Sequence, residues 1–220
     1  MIAPAGARRA VIRLTDTGDR EDAGAFVARV ARMEGSALVR LRNSPTGPDD
    51  PPRLQLWATT PFDSLVTRSV SGVADPPDQT VHAANLLPGL AVARSAEVDP
   101  GPLVDALWRT QLPPLSGWSL VDTVPAAVIG DLTATGTRAA QDAVSPAGGT
   151  ATSLLDSPVL TVNGAGYSVV VPMRCLFALS GMGFAGSEDV RVFATDAWLR
   201  LDARFGAVVR RRHSLLPLVF

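Results

Sequence analysis

Apolar positions recur at two spacings along this chain, and the switches between them mark its elements. Residues 10–15 carry Val11, Ile12 and Leu14 and predict a short strand, broken by Asp16-Thr17-Gly18-Asp19. From Asp19 to about Glu34 the apolar residues Ala23, Phe26, Val27, Val30 and Met33 fall at helical spacing. Asp19 suits an N-cap, with Glu21 and Asp22 in the first turn, where the helix dipole favours anions, and Gly35 suits the stop. Residues 37–42 predict a second strand, and the four prolines of 43–52 a surface loop. Residues 53–59 alternate, with Leu54, Leu56 and Ala58 on one face and Arg53, Gln55 and Trp57 on the other, so Trp57 is expected on an exposed face. Residues 62–73 are its expected hairpin partner.

A loop is expected at 75–79, a strand at 86–93, and a helix over 99–112 that turns Leu103, Leu107 and Trp108 inward and stops at Pro113-Pro114. Thr123 and Pro125 open another helix, reaching to about Ala143 and rich in Ala, Gly and Thr. A linker follows at 145–152. Strands at 159–162 and 167–171 flank Asn163-Gly164-Ala165-Gly166, a hairpin signal. A helix over 173–180 and strands at 190–195, 197–205 and 207–212 complete the chain.

The order strand, helix, strand, strand, strand therefore occurs in residues 10–73 and again in 167–213. Val27, Val30 and Met33 match Leu176, Leu179 and Met182 at one offset, and Leu54, Leu56 and Ala58 match Leu199, Leu201 and Ala203 at another. Phe62, Val66 and Arg68 match Phe205, Val209 and Arg211 after a two-residue shortening of the turn. The expected fold class is α+β: two related β-α-β-β-β units, a pseudo-duplication, with mainly antiparallel sheets and a connecting helical layer. The corresponding domains are an N-terminal α+β unit at 1–98, connecting helices and linker at 99–152, and a C-terminal α+β unit at 153–220.

Composition acts mainly by exclusion. With 46% hydrophobic residues in 220 the chain can bury a sizeable core. All twenty basic residues are arginine, which removes Schiff-base, pyridoxal, P-loop and protein-kinase lysine chemistry. A net charge of −1 argues against a nucleic-acid coat or a polybasic membrane binder. The single cysteine, Cys175, and two histidines, His82 and His213, exclude intramolecular disulfides, multi-cysteine zinc sites and three-histidine metal sites. Residues 1–10 lack the apolar core of a signal peptide. Residues 167–186 approach a membrane-spanning length, but Pro172 and Arg174 interrupt them, so a buried strand and helix are expected there.

Chemical motifs are sparse. Asp16-Thr17-Gly18 has the letters of an aspartic-protease signature, yet that chemistry needs two facing carboxylates, and Asp156-Ser157-Pro158 lacks the glycine. Gly181 to Gly186 matches GxGxxG by letters, but a helix precedes it and a strand follows, so a helix cap and turn are expected instead. No G-x-S-x-G exists, and neither histidine has motif context. Cys175 lies on an apolar helix face and reads as a small buried hydrophobe. Asp16, Asp19 and Asp22 form the only compact acidic group.

One charge asymmetry stands out. Residues 191–213 hold six arginines against Asp196 and Asp202, interleaved with Phe193, Trp198 and Phe205. Such a ribbon can grip nucleic acid, but Arg200, Asp202 and Arg204 also alternate as cross-strand pairs do. The segments Val171-Pro172-Met173-Arg174, Met182-Gly183-Phe184 and Trp198-Leu199-Arg200-Leu201 with Gly206 resemble C-terminal segments of uncharacterised proteins from high-GC actinobacteria. That resemblance covers the last third of the chain, carries no catalytic residue, and implies a bacterial cytosolic protein of unknown function. The expected function is a non-catalytic binding or adaptor protein, with a protein partner or self-association. The expected binding residues are Trp57, Trp198, Arg200, Arg204, Arg210, Arg211 and Arg212. No cofactor, metal or membrane is expected. The alternatives are a small cofactor-independent enzyme using Asp16, Asp19 and Asp22, and a weak nucleic-acid binder through the C-terminal hairpin. Because two histidines and one cysteine cannot close a tetrahedral shell, thermal unfolding with and without a strong chelator should coincide. A lower midpoint in chelator would contradict this.

Overall fold

The computed structural model of the chain describes residues 9–45, 47, 50–92, 97–142 and 152–212. It forms two compact units, residues 1–58 with 69–109 and residues 59–68 with 110–220.

The first unit runs β1 (Val11–Leu14), α1 (Thr17–Met33), β2 (Leu38–Asn43), β3 (Arg53–Thr59), β4 (Leu65–Asp75), β5 (Asp78–His82), α2 (Ala83–Val92) and β6 (Glu97–Val98). Its strands lie in the order β5-β2-β3-β4, with β1 antiparallel to the end of β4 and β6 on β1. Ala23, Phe26, Val27 and Val30 of α1 are buried at the spacing of one helix face. The helix starts a turn earlier than the sequence suggests. Asp16 is its N-cap, accepting the Asp19 amide at 2.8 Å, and Asp19 instead accepts the Ser71 amide at 2.8 Å.

Two expectations in this unit are overturned. The strand expected at 86–93 is helix α2, because Leu86 and Leu90, four apart and buried, pack against α1. The helix expected over 99–112 is only a single 3-10 turn, Asp105–Leu107. Pro100 and Pro102 flank Gly101, whose φ of 84° belongs to no right-handed helix, and Leu103 and Leu107 are exposed rather than inward. The turn is pinned to β5: the Val104 amide donates to the Thr80 carbonyl at 2.8 Å, and the Asp105 carboxylate accepts the Thr80 amide at 2.5 Å. Trp108 lies under the Arg40 guanidinium at 5.9 Å.

The second unit takes the first four residues of β4 and adds β7 (Ser119–Val124), α3 (Ala126–Asp142), α4 (Thr152–Asp156), β8 (Pro158–Gly164), β9 (Tyr167–Pro172), α5 (Met173–Gly181), β10 (Val190–Ala194), β11 (Trp198–Ala203) and β12 (Gly206–Arg211). Its sheet order is β4-β12-β11-β10-β7, and β8-β9 is a separate hairpin. That hairpin turns through Ala165 and Gly166, both at positive φ, as a two-residue turn between twisted strands requires. On α3 the small residues admit a neighbour. A Cβ on Gly136 would lie 2.3 Å from the Met173 Cε of α5. Gly181 to Phe184 end α5 as a helix cap: the Phe184 amide donates to the Leu179 carbonyl at 3.0 Å, the Gly183 amide to the Ser180 carbonyl at 2.8 Å, and Gly183 is left-handed. The linker expected at 145–152 lies outside the described residues except Thr152, as does His213.

The chain is α+β with mainly antiparallel sheets and two related β-α-β-β-β units, β1-α1-β2-β3-β4 and β9-α5-β10-β11-β12. Val30 and Leu179, Leu56 and Leu201, and Val66 and Val209 are buried pairwise, as the sequence echo requires. The units differ in their first strand, since β1 lies on β4 whereas β9 pairs with β8. Helices α2, α3 and α4 stand between them in chain order.

Glycine positions separate backbone need from chance. At Gly206, φ is 154° and a Cβ would sit 2.6 Å from the Phe184 ring and 2.7 Å from the Thr67 carbonyl. At Gly130 of α3 a Cβ would meet nothing within 4 Å. Gly206→Ala should therefore cost about 2 kcal/mol or more, and Gly130→Ala should be neutral or stabilise by up to about 1 kcal/mol. Denaturant melts of both variants check the sign and order of these effects.

Candidate functional site

The site is built on one face of the second unit's sheet. Trp198, Arg200 and Asp202 of β11 alternate with the buried Leu199 and Leu201, and the register sets Trp198 opposite Arg211, Arg200 opposite Val209 and Asp202 opposite Ala207. Val209 in turn lies opposite Leu65 of β4. Leu65, Val209 and Trp198 thus come together and line a cavity of about 390 Å³. Its polar rim is Thr59, Thr60, Asp63 and Ser64 from the β3–β4 turn, Thr110 and Gln111 from the segment before β7, and Arg210 and Arg211 from the end of β12.

The β3–β4 turn is tightly specified. The Thr60 amide donates to the Ser64 carbonyl at 3.0 Å, the Thr60 hydroxyl donates to the same carbonyl at 3.0 Å, and the Asp63 amide donates to the Thr60 carbonyl at 3.2 Å. Asp63 is left-handed, with φ 52°. Behind the turn stands Arg174, in the first turn of α5, with only 7% of its side chain exposed. Its guanidinium donates to the Phe62 carbonyl at 3.1 Å and to the Asp156 carboxylate at 2.5 Å, and lies 3.6 Å from Asp63. Arg210 donates to Asp63 at 2.9 Å and lies 3.8 Å from Asp156. The Nε atoms of both arginines are buried without a hydrogen-bond partner among the described residues. Cys175, beside Arg174, is fully buried, and burial pushes its thiol up to about 12, so it supplies no thiolate near neutral pH.

The expected binding residues divide. Trp198, Arg210 and Arg211 line the cavity; Arg211 lies over the Trp198 ring at 4.8 Å and donates to the Gln111 amide oxygen. Arg200 forms a two-point pair with Asp202 and lies over Trp118 at 5.8 Å. Arg204 pairs with Glu188 and lies over Phe205 at 5.3 Å. Arg212 donates to the Thr195 carbonyl at 3.0 Å and to the Ser168 carbonyl at 2.6 Å. The expected exposure of the two tryptophans is corrected: each is only 6% exposed. Trp57 belongs to the first unit, in β3, which has strands on both sides and buries Leu56, Trp57 and Ala58 in succession. Asp16 and Asp19 serve as helix cap and backbone acceptor, which accounts for both carboxylates structurally. Among the described residues no three His, Cys, Asp or Glu side chains are grouped as a metal ion would require, and no helix is long and apolar enough to cross a membrane.

Sequence reasoning missed Asp63, Leu65, Gln111, Val209, Asp156 and Arg174 as members of this site. Only Arg174 left a signal, an arginine inside an otherwise apolar run.

Residues 7–110 match a domain of unknown function, DUF8010, and residues 113–215 match another, DUF8185. No curated protein matches the chain. Among solved structures it is similar to the DNA polymerase sliding clamp from Caulobacter crescentus, at 15% identity and a TM-score of 0.57, over 96% of this chain and 67% of that one. It is similar to the DNA polymerase sliding clamp from Bacillus subtilis at 13% identity and 0.57, over 96% and 66%. The DnaN sliding clamp from Bartonella birtlesii bound to griselimycin gives 14% identity and 0.55, over 96% and 67%. The chain spans about two thirds of the length of these clamps, and at such identities the likeness is one of fold: the chain has a sliding-clamp-like α+β fold.

Proposed function

We propose that this chain is a non-catalytic binding or adaptor protein that takes an extended segment of a protein partner into the cavity of its second unit. The observation that carries the reading is the cavity itself: an apolar floor of Leu65, Val209 and Trp198 under a rim of hydroxyl, amide and guanidinium groups. Such a site holds one or two apolar side chains while its rim meets backbone and polar groups. The likeness in fold to structures titled DNA polymerase sliding clamps supports it. The resemblance of the last third to uncharacterised actinobacterial proteins adds a bacterial cytosolic setting to the proposal.

The enzyme alternative draws no support from Asp16 and Asp19, whose hydrogen bonds are those of helix cap and backbone acceptor. The nucleic-acid alternative is weakened by the arginines of the C-terminal hairpin, which are engaged by carboxylates, carbonyls and rings. The helices carry no net positive charge: α1, α3 and α5 together balance Arg20, Arg29, Arg32, Arg138 and Arg174 with Asp19, Glu21, Asp22, Asp131 and Asp142, and α2 carries no charge.

Selection of a random peptide library on the full chain should enrich apolar sequences whose affinity drops at least about tenfold in Trp198→Ala and Val209→Asp variants that keep the native circular dichroism spectrum. Enriched peptides insensitive to both substitutions would contradict the cavity as the docking site. Any affinity for duplex DNA should vanish near an ionic strength of about 0.15 M, since few phosphates can be neutralised. Tight binding that persists there, and is lost on replacing Arg210, Arg211 and Arg212 by Ala, would favour the nucleic-acid alternative.

A further inference from the structure

The cavity lies at the end of the second unit's sheet where β12 finishes. Leu65 begins β4, Trp198 begins β11 and Arg211 ends β12, and the register sets Leu65 opposite Val209 and Trp198 opposite Arg211. The chain therefore leaves β12 at the mouth of the cavity, and its point of departure is fixed. The Arg212 amide donates to the Ala197 carbonyl at 2.9 Å. Its guanidinium lies over the Tyr167 ring and donates to the Thr195 and Ser168 carbonyls. Residues 213–220, His-Ser-Leu-Leu-Pro-Leu-Val-Phe, lie outside the described residues. They contain no aspartate, glutamate or arginine, and Leu215, Leu216, Leu218, Val219 and Phe220 are large and apolar. Apolar surface of this kind is driven from water in proportion to its area. The apolar floor of Leu65, Val209 and Trp198 stands beside the point of departure. Val209 is only about 10 Å back along the strand from Arg212, whereas eight extended residues span about 26 Å.

We propose that residues 213–220 fold back into the cavity of their own chain, seat an apolar side chain on Leu65, Val209 and Trp198, and hold the site closed until a partner segment displaces them. The proposal rests on the docking reading above and adds the regulation of that site. Pro217 favours extended backbone at Leu216, the form in which alternate side chains point into a cavity. The rim of hydroxyl and amide groups receives the backbone of such a neutral segment without asking it for charge. Because the segment is tethered, it faces the cavity at an effective concentration on the order of millimolar, so modest intrinsic affinity is enough to fill the site. A partner then binds only those molecules whose cavity is free, and its apparent affinity falls by that fraction.

The test compares three forms: the full chain, a chain ending at Arg212, and the full chain with Leu216→Asp and Leu218→Asp. The probes are the fluorescein-labelled peptide best enriched by selection, read by anisotropy, and an unlabelled capped peptide of residues 213–220. The labelled peptide should bind the shortened chain and the double variant about tenfold more tightly than the full chain. The 213–220 peptide should displace it from the shortened chain, and Val209→Asp in the shortened chain should abolish binding of both. Equal affinity of the labelled peptide for all three forms, with its dependence on Val209 intact, would overturn this inference and leave the docking site standing. Tighter binding by the shortened chain but not by the double variant would also overturn it, since the apolar side chains would then play no part. Absence of Val209-dependent binding of the labelled peptide to any form would overturn the docking of a partner. In that case the 213–220 peptide decides this inference: binding to the shortened chain, read by tryptophan fluorescence and lost in Val209→Asp, sustains it, and any other result overturns it.

Discussion

The candidate site depends on one buried cation. Arg174 is nearly sealed from water, yet it anchors the backbone of the β3–β4 turn through the Phe62 carbonyl and draws Asp63 and Asp156 towards it. A guanidinium so buried is costly to leave without its carbonyl and carboxylate partners, so Arg174 fixes its surroundings rather than adapting to them. With the turn held, Thr60, Ser64 and Asp63 form one wall of the cavity, and Leu65 enters β4 at the position where Val209 faces it. Arg210, bound to the same Asp63, couples that wall to the end of β12.

The repeat explains why a site arises here. A β-α-β-β-β unit buries one face of its strands under its helix, so the opposite face is left for other uses. In the second unit that other face carries Trp198, Val209 and Arg211, and the segment 110–118 contributes Thr110, Gln111 and Trp118 to it. Arginine alone serves as the cation throughout this chain. Its planar head stacks on Trp198, Trp118 and Phe205 and also bonds to carboxylates and carbonyls, combinations that an ammonium group makes poorly.

Periodicity carried the fold far because burial is a local pattern for most of these elements. The matches of Val30 with Leu179 and Leu56 with Leu201 were legible as spacing alone, and each residue is buried. Where two signals competed, tertiary packing decided. Leu86 and Leu90 suit a strand or a helix, and the face of α1 selects the helix. Leu103, Leu107 and Trp108 have helical spacing, but Pro100, Gly101 and Pro102 deny the nucleus. The site was less legible because its members come from distant places: Asp63, Gln111, Arg174 and Val209 share no local pattern, and only strand register brings them together. Trp198, Arg210 and Arg211 were visible as an aromatic–basic cluster, whereas the alternation that placed Trp57 outward does not report that β3 is covered on both faces.

Hydrogen–deuterium exchange on the full chain, with and without a bound selected peptide, addresses the central claim most directly. Docking in the cavity should slow exchange at residues 59–65, 110–111 and 207–211, while residues 200–204 and the start of α1 remain unchanged. Slowed exchange confined to other segments, with these three unaffected by a saturating peptide, would contradict the assignment of this cavity as the docking site.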